Sequence, residues 1–224
     1  RNLMTLYDFL HHWYPDHQVN RLRSRLDNLC RQFSSVVGVV YDMELCRCWE
    51  EFQKAWRFLP LADRSESGDC LSGTWEETET RLVFYRGTQL ISEENIELLV
   101  IGPEPDTGSL AAMVDEALRA GSAVLLPWGF GKWRGGRGRL IEQEFAQERP
   151  GLFASDSGTR PHHGCGARMI SGIYTQLPPG TRLNGSDPLP MPDEEERFFT
   201  TGMTGPAIDT ALPETSGEFA GLLR

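Results

Sequence analysis

The stretch from Ile96 to Trp128 constrains the fold more than any other part of the chain. Ile96-Glu97-Leu98-Leu99-Val100-Ile101 is an apolar run closed by Gly102-Pro103. Gly108-Ser109 then opens a segment whose apolar residues Leu110, Met113, Val114, Ala117 and Leu118 recur at helical spacing, and Gly121 stops it. Ser122-Ala123-Val124-Leu125-Leu126 is a second buried run, ending at Pro127-Trp128. Two apolar strands on either side of one amphipathic helix predict a parallel crossover, since hairpin strands leave no room for that helix. The fold class expected is α/β: a three-layer open sheet, mostly parallel, with helices on both faces. That expectation depends on same-direction pairing of the Leu99 and Val124 segments.

Other segments fit around this unit. Leu3, Leu6, Phe9, Leu10 and Trp13 share one face of a helix that Pro15 ends, and Val19, Leu22, Leu26, Leu29 and Phe33 mark a second helix. Arg21, Arg23, Arg25 and Arg31 lie mostly on its other side, a solvated basic face. Val36-Val37-Gly38-Val39-Val40-Tyr41 reads as a central strand, with Asp42 placed to cap a helix from Met43 to Leu59. Residues 60–73 read as a loop, Glu79 to Tyr85 as a strand, and Ile91 to Asn95 as a helical turn. A short helix is expected from Leu140 to Glu148 and one strand within Met169 to Leu177. The remainder, residues 178–224, is rich in Pro, Gly, Thr and acids. It reads as an extended wrap with one helical turn near Glu194 to Phe199. The domain organisation expected is an α/β domain over residues 1–150 and an irregular extension over 151–224.

Charge and cysteine usage narrow the function classes. A formal net charge of -10 sets the molecule as a whole against nucleic acid and anionic membranes. No apolar run approaches the roughly 20 residues that span a bilayer, and no signal peptide opens the sequence. The cysteines Cys30, Cys46, Cys48, Cys70 and Cys165 are odd in number and scattered, which fits reduced thiols in the cytoplasm better than a disulfide framework.

Two constellations could carry chemistry. Gly129-Phe130-Gly131-Lys132-Trp133-Arg134-Gly135-Gly136-Arg137-Gly138-Arg139 leaves the carboxyl end of the Val124 strand, where ligands of open α/β sheets collect. Its glycines would let backbone amides approach a phosphate, Lys132, Arg134, Arg137 and Arg139 would grip it, and Phe130 and Trp133 would stack on a base. The spacing matches neither the dinucleotide fingerprint nor the Gly-Lys-Ser/Thr phosphate loop. A mobile surface loop, its arginines paired with Glu142, Glu144 and Glu148, is the plainer alternative. The second constellation is His162-His163-Gly164-Cys165-Gly166, a thiol beside two imidazoles. Catalytic Cys and His usually come from separate elements, and a zinc site would need a fourth ligand. Inert loop residues are the default reading there. Asp193-Glu194-Glu195-Glu196 is a solvated acidic segment, or a flap that folds over the basic loop.

The order of these landmarks is similar to that of a known family. The opening Arg1-Asn2-Leu3-Met4 through His12-Trp13 comes first, then the Val36–Val40 run and the pair Trp49 and Trp56. Gly73-Thr74-Trp75, the Leu110 to Gly121 unit and Leu125-Leu126-Pro127-Trp128 follow. Over residues 1–130 this resembles the C-terminal domain of vWA-MoxR-associated proteins of bacterial conflict systems. The chain departs from that pattern in a longer Asp16 to Ser34 segment, in the basic glycine loop and in residues 150–224, which have no counterpart. The resemblance implies a domain at the end of a multidomain defence protein, joined to a protease-like or other effector, and it carries over no catalytic residues. The function expected is a non-catalytic sensing or protein-docking module whose partner is another protein of the same system, with no cofactor and no metal. The alternatives are a nucleotide- or phosphate-binding domain using the basic loop, and a thiol hydrolase based on Cys165.

Overall fold

The computed structural model describes residues 2–8, 15–42, 47–128, 132–156, 174, 176–184, 203–206 and 213–224. Its first half contains β1 (Asn2–Asp8), α1 (Pro15–Cys30), β2 (Ser35–Asp42), α2 (Cys48–Trp56), β3 (Leu61–Glu66), β4 (Cys70–Trp75), β5 (Thr80–Ile91) and β6 (Glu97–Ile101). The second contains α3 (Leu110–Arg119), β7 (Ala123–Trp128), α4 (Gly135–Phe145), β8 (Leu152–Asp156), a single 3-10 turn (Pro179–Thr181), β9 (Arg182–Asn184), β10 (Met203–Pro206) and α5 (Ser216–Leu223). The strands make one ten-stranded sheet with the order β10-β1-β2-β5-β6-β7-β8-β9, and β3 and β4 branch from β5. Among the described residues beyond 150, β8, β9 and β10 belong to the same sheet and α5 packs against it. No helix among the described residues is long and apolar enough to cross a membrane.

The sheet is mixed, not mostly parallel. Among the described residues, five pairings are antiparallel and four are parallel. The decisive correction concerns β6 and β7, which run in opposite directions with Leu99 beside Leu125 and Ile101 beside Ala123. Residues 102–109 are the physical reason. Eight extended residues can span roughly 26 Å, whereas the ten residues of α3 rise only about 15 Å. The extended segment carries the chain back to the start of β6, where the Glu93 N–H donates to the Gly108 carbonyl at 2.9 Å. The Leu110 N–H donates to Glu94 there at 2.8 Å. α3 then travels with β6 and returns the chain to the end of β6, where Ser122 Oγ donates to the Pro103 carbonyl at 2.6 Å. The return journey is made before the helix, so the next strand enters antiparallel. Ser109 caps α3 as expected, accepting from the Ala112 N–H, and Gly121 leaves it at φ +91°.

Other local expectations are also revised. The apolar spacing at Leu3, Leu6 and Phe9 suggested a helix, yet Asn2–Asp8 is a strand held between β10 and β2, with Leu3 opposite Ser35 and Asp8 opposite Val40. Pairing on both edges overrides a short local pattern. The polar stretch 60–73 holds β3 and most of β4. β3 buries Leu61 alone, so it shows no alternation to read. β5 runs six residues past Tyr85. α4 begins at Gly135, five residues before Leu140, and so converts half of the glycine-rich segment into helix. Tyr174 and Gln176 are helical, whereas residues 169–173 and 194–199 lie outside the described residues.

Side-chain alternation builds two apolar layers. Val36, Val40, Leu82 and Phe84 pack under Leu22, Leu26 and Leu29 of α1 and Trp49, Phe52 and Trp56 of α2. The register extends this face to Leu98, Val100, Val124 and Leu126, which α3 and α4 cover. Val39, Tyr41, Tyr85, Leu99, Leu125 and Phe153 form the opposite layer, against Phe219 and Ala220 of α5. Each large apolar side chain removed from water this way contributes about 1.5–3 kcal/mol. Two glycines let rings cross the β2–β5 seam: a Cβ on Gly38 would collide with the Phe84 ring, and one on Gly87 would lie 2.5 Å from Tyr41 Cε1. β3 has a single neighbour among the described strands, and its register slips between Ala62 and Ser65, where Asp63 adopts φ +49°.

Candidate functional site: a charged cleft at the fork of β5

β5 is twelve residues long and serves two partners on one edge. β4 pairs with its first half, Cys70 opposite Tyr85, and β6 with its second, Ile101 opposite Gly87. The two partners meet end to end at Arg86, whose N–H donates to the Asp69 carbonyl at 2.8 Å. A cavity of about 480 Å³ opens there, lined by Asp69, Arg86, Thr88, Gly102, Pro103, Glu104, Ser216 and Gly217. Gly102 turns away from the end of β6 at φ +108°, a conformation that only glycine adopts without strain.

The polar groups of the cleft are held in pairs. Arg86 Nε donates to Asp42 Oδ2 at 2.8 Å, with Arg86 44% exposed and Asp42 13%. The other Asp42 oxygen accepts the Trp49 N–H at 2.7 Å, so this residue caps α2 from the end of β2. Thr88 Oγ1 donates to Glu104 Oε1 at 2.6 Å. Asp69 Oδ2 accepts both the Ser216 N–H at 2.9 Å and the Ser216 hydroxyl at 2.6 Å. That bond fixes the start of α5, and Thr215 completes the cap by accepting from the Glu218 N–H. Behind it, the Tyr85 hydroxyl donates to the Pro213 carbonyl at 2.7 Å, and the Tyr85 ring stacks on Phe219 at 4.4 Å. Burial, with the nearby Cys70 adding, pushes the Tyr85 phenol well above its ordinary range, so it remains a donor.

The basic segment has a different character from the one its composition suggested. Trp133 is buried, donates through its indole N–H to the Pro127 carbonyl at 3.1 Å and packs on Phe145 and Tyr174. Its ring belongs to the core. Lys132 Nζ lies 2.6 Å from Glu97 Oε2 on β6. Arg134 occupies the N-cap position of α4 without a side-chain cap bond, and Arg137 reaches toward the Asn95 carbonyl. Arg139 is exposed on the first turns of α4. Glu144 pairs with Arg149, not with these arginines, and Arg149 also meets Asp115 of α3. Gly129, Phe130 and Gly131 lie outside the described residues, as do His162, His163, Cys165 and the acidic run Asp193 to Glu196.

No family model, curated protein or solved structure matches this chain. Among the described residues, no group of three or more His, Cys, Asp or Glu side chains could hold a metal ion. Cys30, Cys48 and Cys70 are buried thiols. Burial pushes Cys30 and Cys70 up to about 12, with Asp27 and Asp69 respectively adding to the rise, so neither is a thiolate near neutral pH. The cleft residues themselves come from four separate segments. The sequence reading did not single them out, and it took the strand at Glu79 to Tyr85 to end before Arg86 and Gly87.

Proposed function

We propose that this chain is a non-catalytic sensing and protein-docking module of a bacterial defence or signalling assembly, and that the fork cleft is where it senses. The observation that carries the reading is the makeup of the cleft. Its carboxylates are paired with hydroxyls and a guanidinium, an arrangement suited to recognising charge rather than to activating a nucleophile. Its walls also come from pieces tied by hydrogen bonds: the Asp69 turn, the segment after β6 and the N-terminus of α5. Occupancy of the cleft would thus bear directly on how α5 sits. The resemblance supplies the assembly: a partner encoded in the same system, with a protease-like effector as the expected class. The test is co-expression with the proteins encoded beside it, followed by light scattering on the purified material. A stoichiometric complex is expected, and a solitary chain in every combination overturns the docking reading.

A phosphate ligand on the basic segment is the second reading. It is favoured by the absence of any acid in the first turn of α4, where Arg134, Arg137 and Arg139 gather. Thermal stabilisation by nucleotides that disappears in an Arg137→Gln, Arg139→Gln double variant is its expected signature. No stabilisation by any phosphate ligand overturns it.

A further inference from the structure

Within the fork cleft, three charged side chains keep polar atoms that no described residue engages. Arg86 uses Nε on Asp42, which leaves its two terminal nitrogens. Asp69 uses Oδ2 for both bonds from Ser216, which leaves Oδ1. Glu104 uses Oε1 for Thr88, which leaves Oε2. All three residues line the same cavity of about 480 Å³, within the range of small-molecule sites. We propose that this cleft binds a free α-amino acid as its zwitterion, with basic side chains preferred. The ligand carboxylate meets the terminal nitrogens of Arg86, a planar fork suited to two parallel hydrogen bonds. The α-ammonium meets the uncommitted oxygen of Asp69 or Glu104.

The preference for a basic side chain follows from the charge count. Asp42 is paired with Arg86, and Asp69 and Glu104 line the same cavity as Arg86, so three carboxylates accompany one guanidinium and the neighbourhood is net negative before anything binds. A neutral amino acid leaves that excess in place. Lysine or arginine brings a second cation for the second carboxylate and is favoured electrostatically. A dicarboxylate meets repulsion, and a diamine leaves the Arg86 fork without an acceptor. Ligand selectivity is therefore set by two separate features, the fork of Arg86 and the carboxylate pair.

This inference rests on reading the cleft as the sensing site, and titration calorimetry on the full chain separates the two claims. Four probes are compared at low ionic strength: L-lysine, glycine, putrescine and glutarate. They are used at about 10 mM, tenfold above a dissociation constant of about 1 mM. Lysine is expected to bind tightest, glycine more weakly, and putrescine and glutarate at least about tenfold more weakly than lysine. Glu104→Gln keeps an oxygen for Thr88 and is expected to weaken lysine about tenfold. Arg86→Gln is expected to remove the preference for lysine over putrescine. Glu142→Gln, on the exposed side of α4, is the control and is expected to change nothing. Absence of lysine binding, equal affinity for putrescine, tightest binding of glutarate, or an equal loss in the control variant overturns the inference. Lysine binding without any protein partner overturns the docking reading alone, and a partner complex without lysine binding overturns this inference alone.

Discussion

The two halves of β5 face opposite problems. From Thr80 to Tyr85 the strand has β2 on one edge and β4 on the other, and Phe84 sits in an aromatic cluster with Phe52 at 4.8 Å and Trp56 at 5.7 Å. From Arg86 to Ile91 only Gly87 stays buried. Arg86 is exposed, Thr88 to Leu90 are half-buried and Ile91 is exposed. One strand thus provides an anchor at one end and one wall of a polar cleft at the other. The polar half can afford imperfect packing because the apolar half holds the sheet. The difference teaches that continuity of a strand does not imply continuity of its role.

The comparison can be broken or sharpened by substitution. Phe84→Ala is expected to cost the most, about 3–5 kcal/mol, read from equilibrium urea unfolding. A cost near that of a surface substitution would mean that the first half of β5 is not the anchor. Gly38→Ala and Gly87→Ala come next at about 1–3 kcal/mol each, because Phe84 and Tyr41 would have to leave their places across the seam. Tyr85→Phe removes the bond to the Pro213 carbonyl and should cost about 1 kcal/mol. Hydrogen exchange should show α5 opening faster while α2 amides are unchanged. Glu104→Gln, whose side chain meets the polar half at Thr88, should change stability by less than about 0.5 kcal/mol, which makes it a clean probe of binding.

The smallest effect at neutral pH concerns the buried thiols. Cys30 and Cys70 are pushed up to about 12 by burial, whereas an unfolded thiol ionises near 8.5. Between those values the folded state holds more protons than the unfolded state, so stability falls as pH rises through that window. Below it the thiols contribute no slope. Urea midpoints that stay level to about pH 8 and then decline are expected. Replacing both cysteines by alanine should flatten part of the decline.

How much was legible in the sequence depends on what kind of contact decides each feature. α3 was readable end to end, since Ser109, Gly121 and the apolar spacing are all local. The direction of β7 was not, because it depends on the path of residues 102–109, and an extended polar segment and a compact turn look alike in composition. β1 was mistaken for a helix because short apolar spacing does not reveal that β10 and β2 will pair with it. Trp133 looked available for stacking, but its burial is decided by Phe145 and Tyr174, which lie well downstream. The cleft was hidden for a similar reason. Asp69, Arg86, Glu104 and Ser216 are ordinary polar residues until the fork of β5 and the docking of α5 bring them together.

The kink at Asp63 bears on how copies of this molecule behave in a crowd. A regular outer ribbon offers each newcomer an unbroken row of donors and acceptors, and stacking can then propagate without end. Here the ladder of β3 shifts by one residue between Ala62 and Ser65, and Asp63, Arg64 and Glu66 stand exposed along it. A neighbouring chain laid on that margin would lose its alignment past Ala62 and meet fixed charges, so growth into fibrils is discouraged at its first step.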